Sequence, residues 1–438
     1  MKVLKFGGTS VGSAQRMKEV AKLITDGEQK IVVLSAMSGT TNTLVEISDY
    51  LYKKNPEGAN EIINKLEAKY KQHIDELFAT QEYKQKGLEV VKSHFDYIRS
   101  YTKDLFTLFE EKVVLAQGEL ISTAMVNFYL QECGVKSVLL PALEFMRTDK
   151  NAEPDPVYIK DKLRAQLDLY PDTEIYITQG FICRNAYGEI DNLQRGGSDY
   201  TASLIGAAVN ASEIQIWTDI DGMHNNDPRI VDKTAPVRQL HFEEAAELAY
   251  FGAKILHPTC IQPAKYAIPV RLLNTMDPEA PGTLISNDTE KGKIKAVAAK
   301  DNITAIKIKS SRMLLAHGFL RKVFEIFESY QTSIDMICTS EVGVSVTIDN
   351  TKHLNEILDD LKKYGTVTVD KEMCIICVVG DLEWENVGFE AKALDAMRDI
   401  PVRMISFGGS NYNISFLIRE CDKKVALQSL SDMLFNGK

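Results

Sequence analysis

The chain has 438 residues, enough for roughly two to four domains, and a formal net charge of −10 at pH 7. This acidic balance argues against a protein that binds the nucleic-acid backbone. No stretch approaches roughly 20 consecutive apolar residues, so we expect no membrane span, and the charged first strand leads us to expect no signal peptide. The seven cysteines are scattered, and no His, Cys or Asp cluster has metal-ligand spacing. Cys374 and Cys377 lie three apart on a predicted strand, where they face opposite sides, so we expect buried free thiols and a cytoplasmic protein.

The chain opens with a short apolar strand that ends in a turn of small residues. The sequence K-F-G-G-T-S at residues 5–10 leads into a helix predicted over 13–26. Glycines ahead of a helix N-terminus can hold phosphate, because free N–H groups and the helix dipole favour negative charge. Lys5 adds a positive charge. The residues alone leave two alternatives, a phosphate site or an ordinary tight turn.

The same pattern recurs, and long helices follow it. An apolar strand over 30–35 runs into S-G-T-T-N at 38–42 and a helix predicted from Thr43. After an interruption at 56–58, apolar stripes predict long helices to about residue 130. Within them Glu119 has apolar neighbours, and the pattern by itself favours a surface carboxylate over one turned toward a ligand.

Strands and helices continue to alternate up to about residue 282. Strands are predicted over 136–140, 174–182, 214–217 and 268–273. One helix is predicted after the turn at 195–199 and ends at residue 208, and another is predicted over 242–251. The turn R-G-G-S-D at 195–199 also resembles an anion site, with Ser198 or Asp199 able to cap its helix. This alternation predicts a mostly parallel sheet covered by helices, with the small-residue turns and the ligand at the carboxyl ends of the strands.

In the remainder of the chain the predicted strands and helices are shorter. A charged linker over 287–295 precedes two similar units of short strands and helices, which predict a duplicated βαββαβ module. The strands are predicted at 303–309, 334–338, 344–348 and 367–369 in the first unit, and at 374–379, 402–406 and 413–418 in the second. The helices are predicted at 319–330, 354–364, 389–397 and 423–434.

Taken together, these motifs resemble the monofunctional aspartokinases of the amino acid kinase superfamily, which carry paired ACT domains. The resemblance rests on the turns above, on G-E-L at 118–120, and on the runs at 218–229 and 251–258. It implies an α/β catalytic domain at 1–290, with a helical excursion over about 57–130, and tandem ACT domains at 291–438. The first ACT unit would cover about 310–372, inserted into a second unit formed by 295–309 and 373–438.

The resemblance implies transfer of the γ-phosphoryl group of MgATP to the side-chain carboxylate of L-aspartate. In this reading Lys5 and the amides of the first glycine turn bind the phosphoryl group, and Asp199 orients Lys5. Glu119 binds the substrate ammonium and Arg195 its α-carboxylate. The implied catalytic and substrate-binding residues are Lys5, Gly7, Gly8, Asp199, Thr41, Glu119, Arg195, Gly196, Gly197 and Ser198.

The implied nucleotide-binding residues, beyond those of the glycine turn, are Ser10, Thr218, Asp219, His224, Arg229, Lys254 and Ile255. His224 either stacks on adenine or faces water. Mg²⁺ would be held mainly by phosphates and water, with no dedicated metal cage.

The resemblance also implies an amino-acid effector, lysine or threonine, and a homodimer or larger homo-oligomer formed through the ACT domains. The implied effector-binding residues are Met313, Gly318, Phe319, Leu320, Asp335, Ser340 and Glu341. A carboxylate such as Asp335 or Glu341 would suit an ammonium group, the alternative being a capping or surface charge. Two other functions stay open: a sister kinase acting on N-acetylglutamate and a catalytically silent amino-acid sensor. Length argues against a bifunctional enzyme with an added dehydrogenase.

Overall fold

A computed structural model describes residues 1–193, 196–253, 267–310 and 317–436. The chain divides into two compact units, and each is described by itself. The first unit contains residues 1–223 and 255–287, and the second contains 224–254 and 288–438.

The first unit is built from alternating strands and helices. Its elements are β1 (Lys2–Phe6), α1 (Ala14–Ile24), β2 (Lys30–Leu34), α2 (Thr40–Tyr52), α3 (Pro56–Leu77), α4 (Gln81–Ser100), α5 (Leu108–Glu132), β3 (Ser137–Leu140), α6 (Pro156–Asp168), β4 (Ile175–Gln179), β5 (Ile182–Arg184), β6 (Ile190–Asn192), α7 (Gly197–Val209), β7 (Ile214–Thr218) and β8 (Met223–His224). After β9 (Pro236–Val237), β10 (Gln239–His241) and α8 (Phe242–Tyr250), which lie in the second unit, the chain adds β11 (Val270–Asn274) and β12 (Thr283–Ser286).

Seven strands of the first unit lie side by side in the order β12-β11-β7-β1-β2-β4-β3. All the pairs are parallel except β11 with β12, which confirms the predicted mostly parallel sheet. Residues of β2 and β4 are buried throughout, as expected for strands covered on both faces. Because β1, β2 and β4 run in the same direction, the turns that follow them meet at one edge of the sheet.

The helical excursion differs from the prediction in two places. Pro56 does not interrupt a helix but occupies the first turn of α3, where proline lacks only a hydrogen bond that is unmade in any case. Helix α2 begins at Thr40 instead of Thr43, because Gly39 adopts a left-handed conformation (φ +82°) that allows an early start.

Helix α5 is apolar on nearly all its faces. Among the described residues it alone has the length and composition of a membrane-spanning helix, a feature that we did not expect from the sequence. Of its most apolar stretch, 72% is buried against the rest of the unit, as in the central helix of a packed core.

The second unit contains the duplicated α+β module. Its further elements are β13 (Ile294–Lys309), α9 (Phe319–Ser329), β14 (Ile337–Ser340), β15 (Gly343–Ile348), α10 (Leu354–Leu361), β16 (Thr366–Gly380), α11 (Phe389–Ala396), β17 (Met404–Phe407), β18 (Asn413–Arg419) and α12 (Lys423–Leu434). The six strands form one antiparallel sheet in the order β14-β15-β13-β16-β18-β17.

Two long strands replace several short ones that the sequence predicted. Strand β13 extends the predicted strand 303–309 back to Ile294, at the end of the expected linker, and β16 fuses the predicted strands 367–369 and 374–379. In the first half of the module, β15 pairs with residues 304–309 of β13, and in the second half β18 pairs with residues 373–379 of β16. Both strands are irregular at the same level, where Asn302 (φ +60°) and Glu372 (φ +55°) take left-handed conformations and the pairing register shifts.

Each half of the module has its own apolar core. Phe319 and Val323 of α9 pack with α10 and β15 in one core, whereas α11 and α12 pack on β16 and β18 in the other. Cys374 belongs to the second core and Cys377 does not, in agreement with their opposite orientation. Both thiols are free and fully buried, as predicted.

Candidate active site

The ion pair between Lys5 and Asp199 is the first contact that joins distant motifs. Lys5 lies near the end of β1, and Asp199 lies in the first turn of α7. The Lys5 Nζ and Asp199 Oδ1 atoms are 2.6 Å apart, with 12% and 15% of the side chains exposed. The carboxylate therefore fixes the direction of the lysine while leaving part of its side chain exposed.

The glycine turn after β1 packs tightly on the turn after β2. The Ser38 amide donates to the Gly8 carbonyl at 3.1 Å. A Cβ atom placed on Gly8 would lie 2.9 Å from the Ala36 carbonyl oxygen, so a larger residue would push the two turns apart. The second glycine of the motif is thus needed for close approach of two backbones.

Glu119 is buried, contrary to the surface position that its pattern favoured. Only 3% of the residue is exposed, because α5 is covered on most of its faces. Its Oε1 atom accepts a hydrogen bond from the Ala36 amide at 3.2 Å, and its Oε2 atom has no hydrogen-bond partner among the described residues. Burial raises the pKa of Glu119 to about 8. A buried carboxylate with one unpaired oxygen is suited to a cationic ligand.

A small residue next to Glu119 brings this carboxylate to the sheet edge. A Cβ atom on Gly118 would lie 2.8 Å from the Ala36 Cβ and 3.2 Å from the Thr40 Cγ2. Helix α5 can therefore approach the β2 turn closely only with glycine at this position. The G-E-L motif combines a packing residue with a functional one.

The N-terminus of α7 closes another side of the site. Gly196 caps this helix in a left-handed conformation (φ +76°), so the prediction that Ser198 or Asp199 caps it is wrong. Both side chains lie inside the first turn and point to other partners: Asp199 to Lys5, and Ser198 to Ser35, whose hydroxyl donates to it at 3.0 Å. The free amides at this helix start are available to an anion.

These groups line one cavity of about 490 Å³ in the first unit. Eight of the predicted site residues line it: Lys5, Gly8, Thr41, Glu119, Gly196, Gly197, Ser198 and Asp199. Sequence reasoning missed other lining residues, including Ser35, Met37 and Phe181. Ser35 could have been found, because it is the first polar residue after an apolar strand, whereas nothing in the sequence marks Phe181.

Three of the predicted nucleotide residues lie in the first unit outside that cavity lining. Ser10 is fully buried, and its hydroxyl is 2.8 Å from the Thr275 hydroxyl. The Thr218 hydroxyl at the end of β7 is hydrogen-bonded to the Ile220 carbonyl at 3.2 Å, and Asp219 is exposed. Ser10 therefore has a packing contact in addition to any role at a ligand.

Two further predicted nucleotide residues, His224 and Arg229, lie in the second unit. In the second unit, the His224 Nδ1 atom is 2.9 Å from the Thr234 hydroxyl, and Arg229 pairs with Asp227 at 2.7 Å. Arg195, Lys254 and Ile255 lie outside the described residues. Gly7 is adjacent to the lining, since a Cβ atom there would lie 3.4 Å from the Lys5 Nζ atom.

The predicted effector residues occupy different environments in the second unit. Gly318 caps α9 in a left-handed conformation, Phe319 is buried in the core beneath that helix, and Leu320 is exposed. Asp335 has a buried side chain paired with Lys300, whereas Ser340 and Glu341 are exposed. Met313 lies outside the described residues.

Comparison with known proteins agrees with this geometry. A model of the amino acid kinase family matches residues 1–274, and a model of the ACT domain matches residues 376–434. The chain therefore belongs to the amino acid kinase family, with an ACT region that follows the kinase region.

Individual relatives narrow this assignment. Aspartokinase 1, chloroplastic, of Arabidopsis thaliana is 36% identical over 464 residues, covering 99% of this chain and 80% of the relative. Lysine-sensitive aspartokinase 3 of Escherichia coli (strain K12) is 32% identical over 447 residues, covering 99% of both chains. Within its family, then, the chain is a member of the aspartokinases, and it is a kinase. The resemblance and the fold class inferred from sequence are confirmed.

Two crystal structures of E. coli aspartokinase III match nearly the whole chain. The complex with aspartate and ADP, called the R-state, has a TM-score of 0.88 at 31% identity and covers 99% of this chain and 100% of that one. The complex with lysine and aspartate, called the T-state, has a TM-score of 0.80 at 32% identity, with 99% of each chain covered.

Proposed function

We propose that the protein transfers the γ-phosphoryl group of MgATP to the side-chain carboxylate of L-aspartate, giving 4-phospho-L-aspartate. This reaction would be the first step toward lysine, threonine and methionine. The observation that carries the proposal is the cavity in which the buried, unpaired Glu119 Oε2 atom accompanies the Lys5–Asp199 pair. The relatives are aspartokinases, and the E. coli enzyme has been crystallised with aspartate and ADP, which supports the proposal.

The cavity offers opposite charges to the two ends of an amino acid. The Glu119 carboxylate would take the α-ammonium group, and Arg195 would take the α-carboxylate as a bidentate pair. Thr41 and Ser198 would donate hydrogen bonds to the substrate. A zwitterion held in this way can present its side-chain carboxylate to the glycine turn after β1.

The reaction needs positioning and charge stabilisation more than proton transfer. The acceptor carboxylate of aspartate is already an anion near neutral pH, so it requires no general base. Phosphoryl transfer places growing negative charge on oxygens around the γ-phosphorus atom. Lys5, the amides near Gly8 and the free amides at the start of α7 would stabilise that charge. Asp199 would hold Lys5 in place.

Mg²⁺ would reach the site with the nucleotide. The part of the chain that the structure describes contains no group of three or more His, Cys, Asp or Glu side chains arranged to hold a metal ion. Magnesium commonly keeps several waters and binds through substrate phosphates with one or two carboxylates, so this donor set is compatible with it. When bound, the ion would neutralise phosphate charge.

Regulation by an amino acid is part of the proposal. The E. coli relative is called lysine-sensitive, and a structure of aspartokinase III contains lysine. We therefore favour lysine as the effector, with threonine as the alternative, bound by the first half of the ACT region. We also propose the kinase and ACT boundaries given above, a cytoplasmic location and a homo-oligomer formed through the ACT region.

Acyl-phosphate trapping tests the reaction. The purified protein is incubated with MgATP, hydroxylamine and L-aspartate, and the hydroxamate product is quantified. We expect ATP- and aspartate-dependent product. Product with N-acetylglutamate alone would indicate the sister kinase, and no product with either acid would indicate a silent sensor.

A further inference from the structure

Asp335 is a buried carboxylate in which one oxygen has two partners and the other oxygen has none among the described residues. Its side chain is only 1% exposed. Its Oδ1 atom lies 2.7 Å from the Lys300 Nζ atom and accepts a hydrogen bond from the Tyr250 hydroxyl at 2.8 Å. Its Oδ2 atom is buried and has no hydrogen-bond partner among the described residues. Leaving a carboxylate oxygen buried and unpaired is costly, so Asp335 can accept one more donor.

Lys300 is shared between two carboxylates. Its Nζ atom also lies 2.9 Å from the Asp349 Oδ2 atom, and it sits 4.4 Å from the centre of the Tyr250 ring. Burial lowers the pKa of Lys300, but hydrogen bonds to Asp335 and Asp349 outweigh burial and raise the pKa overall, so the lysine is charged. One lysine against two aspartates leaves one negative charge, which a single ammonium group would balance.

The contacts among Tyr250, Lys300 and Asp335 join two parts of the sequence. Tyr250 is the last residue of α8 and belongs to the region matched by the amino acid kinase family, whereas Lys300 and Asp335 follow that region. Lys300 also lies where the register between β13 and β16 shifts, two residues before the left-handed Asn302. A change at Asp335 therefore alters a contact of α8, through Tyr250, and a contact of the irregular segment of β13, through Lys300.

We propose that Lys300 is a built-in competitor for the ammonium group of a free amino acid at Asp335, and that Tyr250 transmits the exchange to α8. This inference rests on the proposed function for the nature of the effector. The incoming ammonium group binds Asp335 through the Oδ2 atom. Because two ammonium groups on one carboxylate repel each other, Lys300 leaves Asp335 and keeps its contact with Asp349. The Asp335 carboxylate turns toward the new ammonium group, so its Oδ1 atom leaves the Tyr250 hydroxyl and α8 loses its link to Asp335. Lys300 and Tyr250 are positioning residues, and neither is a catalytic residue.

Calorimetric titration of the full-length protein tests the competition. In Lys300→Met the effector no longer has to displace a charge, so we expect the Kd for L-lysine, or for L-threonine, to fall about tenfold. Lys423→Met is the matched control, because Lys423 pairs with Asp301 at 2.6 Å in the same unit, and it should leave the Kd unchanged. If Lys300→Met folds poorly, Lys300→Gln replaces it, because glutamine removes the charge and keeps a hydrogen-bond donor. We expect the same fall in Kd for Lys300→Gln. An unchanged or higher Kd in the folded Lys300 variants overturns the proposal.

The transmission step has its own variant. Tyr250→Phe keeps the ring beneath Lys300 and removes the hydroxyl, so the amino acid should still bind but inhibit the kinase less. Tyr330→Phe is the control, since the Tyr330 hydroxyl donates to Asp360 at 2.9 Å elsewhere in the unit. Full inhibition of Tyr250→Phe contradicts the role of Tyr250. If neither the wild type nor the Lys300 variants bind either amino acid, the inference fails, whereas turnover of aspartate still reports on the proposed reaction separately.

Discussion

The Lys5 ammonium group lies 2.6 Å from the Asp199 carboxylate, although β1 and α7 are separated by most of the first unit in sequence. This contact holds the lysine at the carboxyl end of the parallel sheet, where a ligand of an α/β protein binds. The positive charge of the Lys5 ammonium group and the negative charge of the Asp199 carboxylate balance each other. A phosphate that enters the site finds a cation already aligned.

Lys5→Met should reduce kcat about 10²- to 10³-fold, because it removes a preorganised cation from the transferring phosphoryl group. The rate of hydroxamate formation measures the effect. Lys2→Met is the control, since Lys2 lies on the same strand but pairs with the exposed Glu28 at 3.0 Å. Undiminished turnover in Lys5→Met would refute the assigned role.

Binding of aspartate should release a proton below pH 8. The Glu119 carboxyl has a pKa of about 8 in its buried environment and is largely protonated at pH 7, whereas an ammonium partner would favour the ionised form. Calorimetry in buffers of different ionisation enthalpy should detect close to one proton per site. Glu119→Gln should abolish the release. Glu244→Gln, which alters another buried glutamate with a raised pKa, should preserve it, and binding heats independent of buffer would contradict the model.

The same carboxyl predicts how stability changes with pH. Its pKa rises from an ordinary 4.5 to about 8 on folding, so between these values the unfolded chain is ionised and the folded chain is protonated. The contribution of Glu119 to the free energy of unfolding should therefore fall as pH rises from 4.5 to 8. Denaturant titrations of the ligand-free protein at several pH values should show this slope, and Glu119→Gln should reduce it. An equal slope in both proteins would contradict the prediction.

Gly8→Ala should impair both stability and activity. The added Cβ atom would lie 2.9 Å from the Ala36 carbonyl oxygen, and a backbone atom cannot move aside as a flexible side chain can. We expect a loss of about 1–3 kcal/mol in the free energy of unfolding, together with a lower kcat/KM. Gly409→Ala serves as the control, because its Cβ atom would have nothing within 4 Å. Equal stability of the two variants would show that the turns can separate freely.

Thiol labelling should distinguish exposed cysteines from buried ones. Cys133 and Cys421 are exposed and should react rapidly with a disulfide reagent in the native protein. Cys374 and Cys377 are buried, and burial raises the pKa of both thiols, so they should react only after unfolding. Peptide mapping by mass spectrometry identifies the labelled positions. Rapid native labelling of Cys377 would mean that β16 opens far more readily than its burial implies.

Local patterns allowed much of this fold to be predicted, and the failures have physical causes. The glycine turn after β1 was recognised because strand, glycines and helix are adjacent in sequence. Burial of Glu119 was missed because α5 is covered by partners distant in sequence, which only the assembled unit supplies. The continuity of β13 was missed because Asp301 and Asn302 are typical of a loop. In the structure Asp301 pairs with Lys423, and Asn302 takes a left-handed conformation inside the strand.

The continuous strands β13 and β16 couple the two halves of the ACT-type sheet to each other. Because both strands run through both halves of the six-stranded sheet, the halves are joined by continuous backbone and not only by side-chain packing. A rotation of one half must therefore either change the backbone angles at Asn302 and Glu372 or rotate the other half as well. We expect such a sheet to unfold in a single cooperative step.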